Sequence, residues 1–193
     1  TDPRWRVKIL TRSSGNIYSQ SLTASVIAAH GAAGAEEWAE ALVANFARDP
    51  EGNDRAQIEA AAAGIGEIAI ANTYYLPRYA KDEDPAKQAI FEKIGVFFPN
   101  QDDRGTNVNI SGAGVVKSAT NQESAVMFLE YLSSPLAQAF FAQGNNEYPV
   151  VEGTPVDPIV GEFGTYKADT VNVNLLGENQ PEAEQIMDRA GWV

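Results

Sequence analysis

A chain of 193 residues is long enough for one large or two small domains, and its 44% hydrophobic and 21% charged content lies in the ordinary globular range. Fourteen basic against 26 acidic residues leave a net charge of −12, a surface that repels nucleic acid phosphates and anionic membranes and argues against both as partners. The absence of cysteine excludes disulfides, thiolate metal sites and cysteine nucleophiles.

Taken in order, Val7 to Leu10 reads as a short strand, followed by the polar turn Ser13-Ser14-Gly15-Asn16. Ser14 or Asn16 can cap a helix carrying Tyr18 in its first turn and Leu22, Val26 and Ile27 on its apolar side, with Gly31 ending it just after His30. A second helix is predicted over 34–48, its stripe Trp38, Leu42 and Phe46 facing the core until Asp49-Pro50 stops it. Asn53 opens a third helix, which runs through Ala60 to Ala63 and ends at Gly64.

Ile68 to Ala71 is a strand. Asn72 or Thr73 then caps a helix starting near Tyr74, with Pro77 in its first turn, where a missing N–H costs little. Arg78, four residues after Tyr74, projects from the same side. Asp84-Pro85 opens a helix with Ile90, Phe91 and Ile94 on one side; Val96 to Phe98 is a short buried strand; Asn100 to Arg104 is a charged turn in which Asp102 and Asp103 are solvated. Val108 to Ile110 and Ala113 to Val116 read as strands, so Gly112-Ala113-Gly114 precedes a strand rather than a helix and is no nucleotide loop. Asn121 caps an apolar helix with Val126, Phe128, Leu129 and Leu132, and Ser134-Pro135 begins another with Leu136, Phe140 and Phe141. Tyr148 to Val151 and Val171 to Leu175 read as strands, and Asn179 caps a final helix, Pro181 to Ala190, ended by Gly191. Every apolar stripe among these is read as core packing. No run approaches the length of a membrane span, so no membrane insertion is expected. No HExxH, GxSxG or P-loop is present, so no enzymatic activity is expected.

Two strand-to-helix turns therefore carry tyrosine: Tyr18 on one, Tyr74 and Tyr75 on the other. In open α/β sheets, the carboxyl ends of strands are where ligands bind. Tyrosine at a strand end is ordinarily an amphipathic side chain with its hydroxyl in water. A hard, highly charged cation offers a second use, because it drives off the phenolic proton and the resulting oxyanion suits ferric iron.

The run from Trp5 to Tyr18, the Asn72-Thr73-Tyr74-Tyr75 segment with Arg78, and the closing Met187-Asp188-Arg189-Ala190-Gly191-Trp192 resemble the bacterial ferric-ion-binding proteins, the substrate-binding components of iron ABC importers, and most of all their FutA-type branch. The resemblance implies an α/β fold of the class II periplasmic-binding type with two transferrin-like lobes. It makes 1–104 the second lobe, 105–152 a segment contributing to the first, and 153–193 the return to the second. It implies Tyr18, Tyr74 and Tyr75 as phenolate ligands to Fe³⁺, with Fe²⁺ as the other oxidation state to consider. Arg78 and Arg12 stand behind the ligands, Tyr79 points away, and His30 matches no family ligand. Family members begin with a long N-terminal segment bearing a signal peptide and further ligands, whereas this chain opens at Thr1-Asp2-Pro3 inside the second lobe. The implied partners are that N-terminal segment and an inner-membrane ABC permease. The implied state is a periplasmic monomer. A class II binding protein for a small anion or organic solute is the alternative, with Arg12 and Arg78 meeting a carboxylate or phosphate.

Overall fold

The computed structural model describes residues 2–193; Thr1, which bounds the first predicted segment, lies outside the described residues. After a 3₁₀ turn at Pro3–Trp5, the elements are β1 (Ile9–Leu10), α1 (Ile17–Val43), α2 (Asp54–Ala62), β2 (Ile68–Ala69), a 3₁₀ turn at Thr73–Tyr75, α3 (Pro77–Ala80), α4 (Pro85–Lys93), α5 (Gln122–Leu132), α6 (Pro135–Asn145), α7 (Pro158–Gly161) and α8 (Asn174–Ala190). The fold is helix-rich α/β. β1 and β2 pair in parallel, Ile9 opposite Ile68 and Leu10 opposite Ala69. Both tyrosine-bearing turns therefore leave the same, carboxyl end of one small sheet.

Helix starts follow the capping residues. The Asn16, Asn53, Asp84, Asn121 and Ser134 side chains each accept a backbone N–H of the first turn, which satisfies donors that the helix itself leaves orphaned. The predicted break near residue 31 is present as a kink: Gly31 sits at φ 74°, ψ 171° inside α1, a conformation open to glycine and strained for other residues. The second half ends at Val43, not Arg48. Phe46 is not on the helical stripe; it forms a parallel bridge with Ile9, because Asn45 O accepts the Ile9 N–H at 2.9 Å and Ala47 N–H returns to Ile9 O at 2.7 Å. The strand edge claims these residues from the helix.

Three apolar clusters hold the body. One joins α1 to α8 through Ala24, Ile27, Ala35, Ala183 and Ile186. The second gathers Ile9, Leu42 and Met187 around Trp192, whose ring meets Phe46 edge-on at 5.5 Å and Trp38 at 6.1 Å. The third packs Ile58, Leu76 and Tyr79 against α4 residues Ile90 and Phe91.

Several predicted strands are absent. Val96 to Phe98, Val108 to Ile110, Ala113 to Val116 and Tyr148 to Val151 form none, and Phe97 is 85% exposed rather than buried. A strand exists only by pairing, and these segments meet no partner edge among the described residues. Val171 to Leu175 is not a strand either: α8 begins at Asn174, carries Pro181 in its interior, and leaves Asn179 as an internal residue whose amide donates to Ala24 O at 3.4 Å. The N–H that Pro181 lacks is outweighed by the complete burial of Ala183, Ile186 and Met187 on the next turns.

The apolar stripes of α5 and α6 are also not core. Of the predicted residues, Val126, Phe128, Leu136 and Phe140 face outward, as do Met127 and Tyr131, while Leu129, Leu132 and Phe141 are half-buried and join none of the three clusters. Two ion pairs flank the 105–152 stretch. Arg104 Nη1 meets Asp169 Oδ2 at 2.5 Å, beside the Thr106–Ala168 bridge. Lys81 Nζ meets Asp157 Oδ2 at 2.7 Å and donates to Asn146 Oδ1 at 2.5 Å. Gly105 makes the exit possible. Its φ is 101°, and a Cβ there would lie 2.7 Å from the Ala168 carbonyl carbon.

Candidate metal centre

The polar turn after β1 is closed by Asn16, whose Oδ1 accepts the Tyr18 N–H at 3.0 Å. This sets Tyr18 one residue into α1 with its ring half-buried. The turn after β2 differs from a single capped helix. Thr73–Tyr75 is a 3₁₀ turn without a side-chain cap, and α3 starts afresh at Pro77. The tighter winding of a 3₁₀ turn changes the angular spacing of successive side chains. Arg78 accordingly lies over the Tyr75 ring, 5.6 Å from its centroid, on an exposed position.

The two turns converge. The Tyr18 and Tyr74 hydroxyls are 2.8 Å apart in a hydrogen bond that either can donate. The Tyr74 and Tyr75 rings lie 4.4 Å apart, tilted by 35°. Three phenols from two turns thus share one cluster, and all three residues are partly buried. Burial pushes the Tyr74 phenol far above its ordinary range, and the hydrogen bond to Tyr18 and the neighbouring Tyr75 phenol push it further in the same direction. Left alone, Tyr74 stays protonated. Only a strongly polarising cation could take its proton, and that cation would then meet preassembled oxygen donors. Among the described residues no group of three or more His, Asp or Glu side chains could hold a metal.

Arg12 is engaged. Its guanidinium lies over the Tyr18 ring, 5.4 Å from the centroid, and its Nη1 is 2.5 Å from Asp54 Oδ2. Its backbone oxygen accepts the Trp192 indole N–H at 2.8 Å, which fastens the turn to the C-terminal end of the chain. Tyr79 points away from the cluster, with its hydroxyl on Glu59 Oε1 at 2.8 Å, and exposed His30 lies at the α1 kink.

The residue that sequence reasoning missed is Asp54. It is buried at the first position of α2, where the helix N-terminus favours a carboxylate. Its only local signal, an acid directly after the cap Asn53, is common to many helices and does not say that the side chain turns inward.

A family profile described as "Bacterial extracellular solute-binding protein" matches residues 1–163. The chain is 55% identical to Iron uptake protein A2 of Synechocystis over 193 residues, 99% of this chain and 56% of that protein. Among solved structures, a Trichodesmium protein, (IdiA) (FutA) in complex with iron and citrate ligands, superposes with a TM-score of 0.97 at 55% identity, covering all of this chain and 61% of that one. A ferric binding protein from Campylobacter jejuni gives 0.94 at 36% identity, with 100% and 61% covered. The chain spans little more than half the length of these relatives. Its helix-rich α/β body is that of the periplasmic binding proteins, and it belongs to the family of bacterial extracellular solute-binding proteins.

Proposed function

We propose that this chain is the iron-holding portion of a FutA-type ferric-ion-binding protein, in which Tyr18, Tyr74 and Tyr75 bind Fe³⁺ as phenolates and the loaded protein hands the ion to an ABC permease. The observation that carries the reading is the convergence of three phenols from two turns at the carboxyl end of one sheet, with Tyr18 and Tyr74 already 2.8 Å apart. Three phenolates balance the charge of Fe³⁺, so the ion and its donors form a neutral unit, which is much less costly to enclose than a bare trivalent cation. Anionic oxygen donors also favour Fe³⁺ over Fe²⁺. Nothing in this donor set performs bond chemistry; it captures and releases. Relatives described as iron uptake and ferric iron-binding proteins support the same cargo, and the extracellular solute-binding family supports a periplasmic location.

Residues 1–104 and 153–193 would form one lobe and 105–152 a part of the other, with the remainder supplied by an N-terminal segment. The outward apolar residues of α5 and α6 support this, since a contiguous apolar face seeks a cover. So do the unpaired segments 108–110 and 113–116, whose partner strands would then lie in that segment.

Titration of the chain with ferric chelate, followed by visible absorption, tests the reading. A phenolate-to-iron charge-transfer band is expected, and Tyr18→Phe, Tyr74→Phe and Tyr75→Phe should each shift or bleach it. A folded, colourless protein whose three variants bind iron no differently would overturn the assignment and turn attention to small anions.

A further inference from the structure

We propose that Asp54 is the positioning residue of the tyrosine cluster: one buried carboxylate that holds both tyrosine-bearing turns in register. The proposal rests on the ferric reading above for its functional meaning, although its geometry stands apart from it. Asp54 lies on α2, between the two turns in sequence and outside both. One of its oxygens, Oδ2, takes Arg12 Nη1 at 2.5 Å. The other, Oδ1, accepts the backbone N–H of Asn72 at 3.0 Å and faces the Asn72 side-chain amide at 3.5 Å. Arg12 in turn covers the Tyr18 ring, and Asn72 is the residue from which the Thr73–Tyr75 turn starts. The carboxylate thus reaches Tyr18 through a side chain and Tyr74 through the backbone.

The division of labour has a physical reason. Asn72 has no side-chain bond to its own turn, so the Tyr74–Tyr75 turn lacks the usual local cap, and a distant acceptor supplies the anchor instead. Arg12 is a long side chain, and a cation free to swing would leave the Tyr18 ring without its cover. Pinning one guanidinium nitrogen on a carboxylate whose side chain is 2% exposed removes that freedom. A buried carboxylate is itself costly unless fully bonded. Here it has a cation, a backbone N–H and a helix N-terminus, so the turns and the carboxylate depend on each other. Groups that orient metal donors in this way change metal affinity about 10- to 100-fold when lost.

The test uses Asp54→Asn, which keeps the shape and one acceptor oxygen but loses the charge that holds Arg12, with Arg12→Gln as a second variant that breaks the same pair from its solvent side. In the iron-free chain, ¹³C-resolved ring signals of Tyr18 and Tyr74, assigned by Tyr→Phe substitution, should move in both variants while the methyl signals of the α1–α8 core stay in place. In ferric titration, Asp54→Asn should weaken binding about tenfold in the parent chain but less than about twofold in a Tyr18→Phe background, because the variant keeps the oxygen that accepts from Asn72 and loses only the charge that acts through Arg12 on Tyr18. That non-additivity separates positioning from a general loss of stability. Unmoved ring signals in a folded variant, or equal losses in both backgrounds, would overturn the proposal. If the parent chain shows no charge-transfer band while the ring signals move as expected, the clamp stands and the ferric reading falls.

Discussion

At the residue scale, the proposed phenolate site predicts how iron affinity depends on pH. Ordinary tyrosine titrates at about pH 10, and burial with the Tyr18 hydrogen bond holds Tyr74 higher still. Across the neutral range the phenol is protonated, so iron can bind as phenolate only by expelling the proton. Affinity should therefore rise with pH, with about three protons released per ferric ion if all three tyrosines bind as phenolates. A pH-stat titration with a ferric chelate of known proton balance measures this directly, and release of one proton or fewer would exclude the three-phenolate set. Arg78 bears on the same equilibrium. Its guanidinium lies 5.6 Å from the Tyr75 ring centre, so a cation faces the place where the proposed site gathers negative charge on binding iron. Arg78→Ala should weaken ferric binding about tenfold at each pH between about 5 and 8, with the number of protons released unchanged, read from charge-transfer titrations. An unchanged affinity in the variant would remove Arg78 from the site.

At the scale of elements, the chain end and the sheet edge share one aromatic knot. Trp192 is fully buried between Phe46 and Trp38, and its indole N–H holds the Arg12 carbonyl. Trp192→Ala should cost about 3–5 kcal/mol. Phe46, half-buried on its bridge to Ile9, should cost less on truncation, about 2 kcal/mol, because less of its area leaves water on folding. Urea midpoints at constant slope give both values. Equal costs would mean that Phe46 is as enclosed as a core helix position. Trp192→Ala should also loosen the Tyr18 turn, whereas Phe46→Ala should leave it in place.

At the scale of the whole molecule, the Arg104–Asp169 and Lys81–Asp157 pairs flank the 105–152 stretch, and Lys81 reaches into it at Asn146. Burial pushes the Asp157 carboxyl up, but the Lys81 hydrogen bond and charge and the Ile159 N–H outweigh it, and the net direction is down. A carboxyl lower in the folded than in the unfolded chain contributes stability above its unfolded value of about 3.9 and loses it as pH falls through the folded value. The stability difference between the parent chain and Asp157→Asn should therefore be constant near neutrality and shrink below about pH 4. Lys81→Met should destabilise at neutral pH by about 3 kcal/mol, because it strands a buried carboxylate. A parent chain and Asp157→Asn variant with parallel acid limbs would show that the pair contributes nothing.

Local chemistry was readable without coordinates wherever the cause was local. Asn16, Asn53, Asp84, Asn121 and Ser134 announced their helices, because a cap is a contact within three residues. Gly31 announced the kink, because only its own dihedrals are at stake. The two strand-to-helix turns with their tyrosines were readable for the same reason, and Leu42 fell where apolar patterning put it. Whatever depended on a distant partner was decided by the tertiary structure alone. Phe46 left its helix because the β1 edge offered better hydrogen bonds. Four apolar stretches stayed irregular because no edge met them, and α8 ran through Pro181 because its far side was fully packed. Asp54 is the clearest case. An acid after a helix cap looks like a solvated surface charge, and only the approach of Arg12 from 42 residues upstream and Asn72 from 18 residues downstream turns it into a buried bond between two turns. Sequence alone determined which side chains could serve as donors; the packing of α2 between two loops decided what holds them together, since burial of a charge is a property of every element around it.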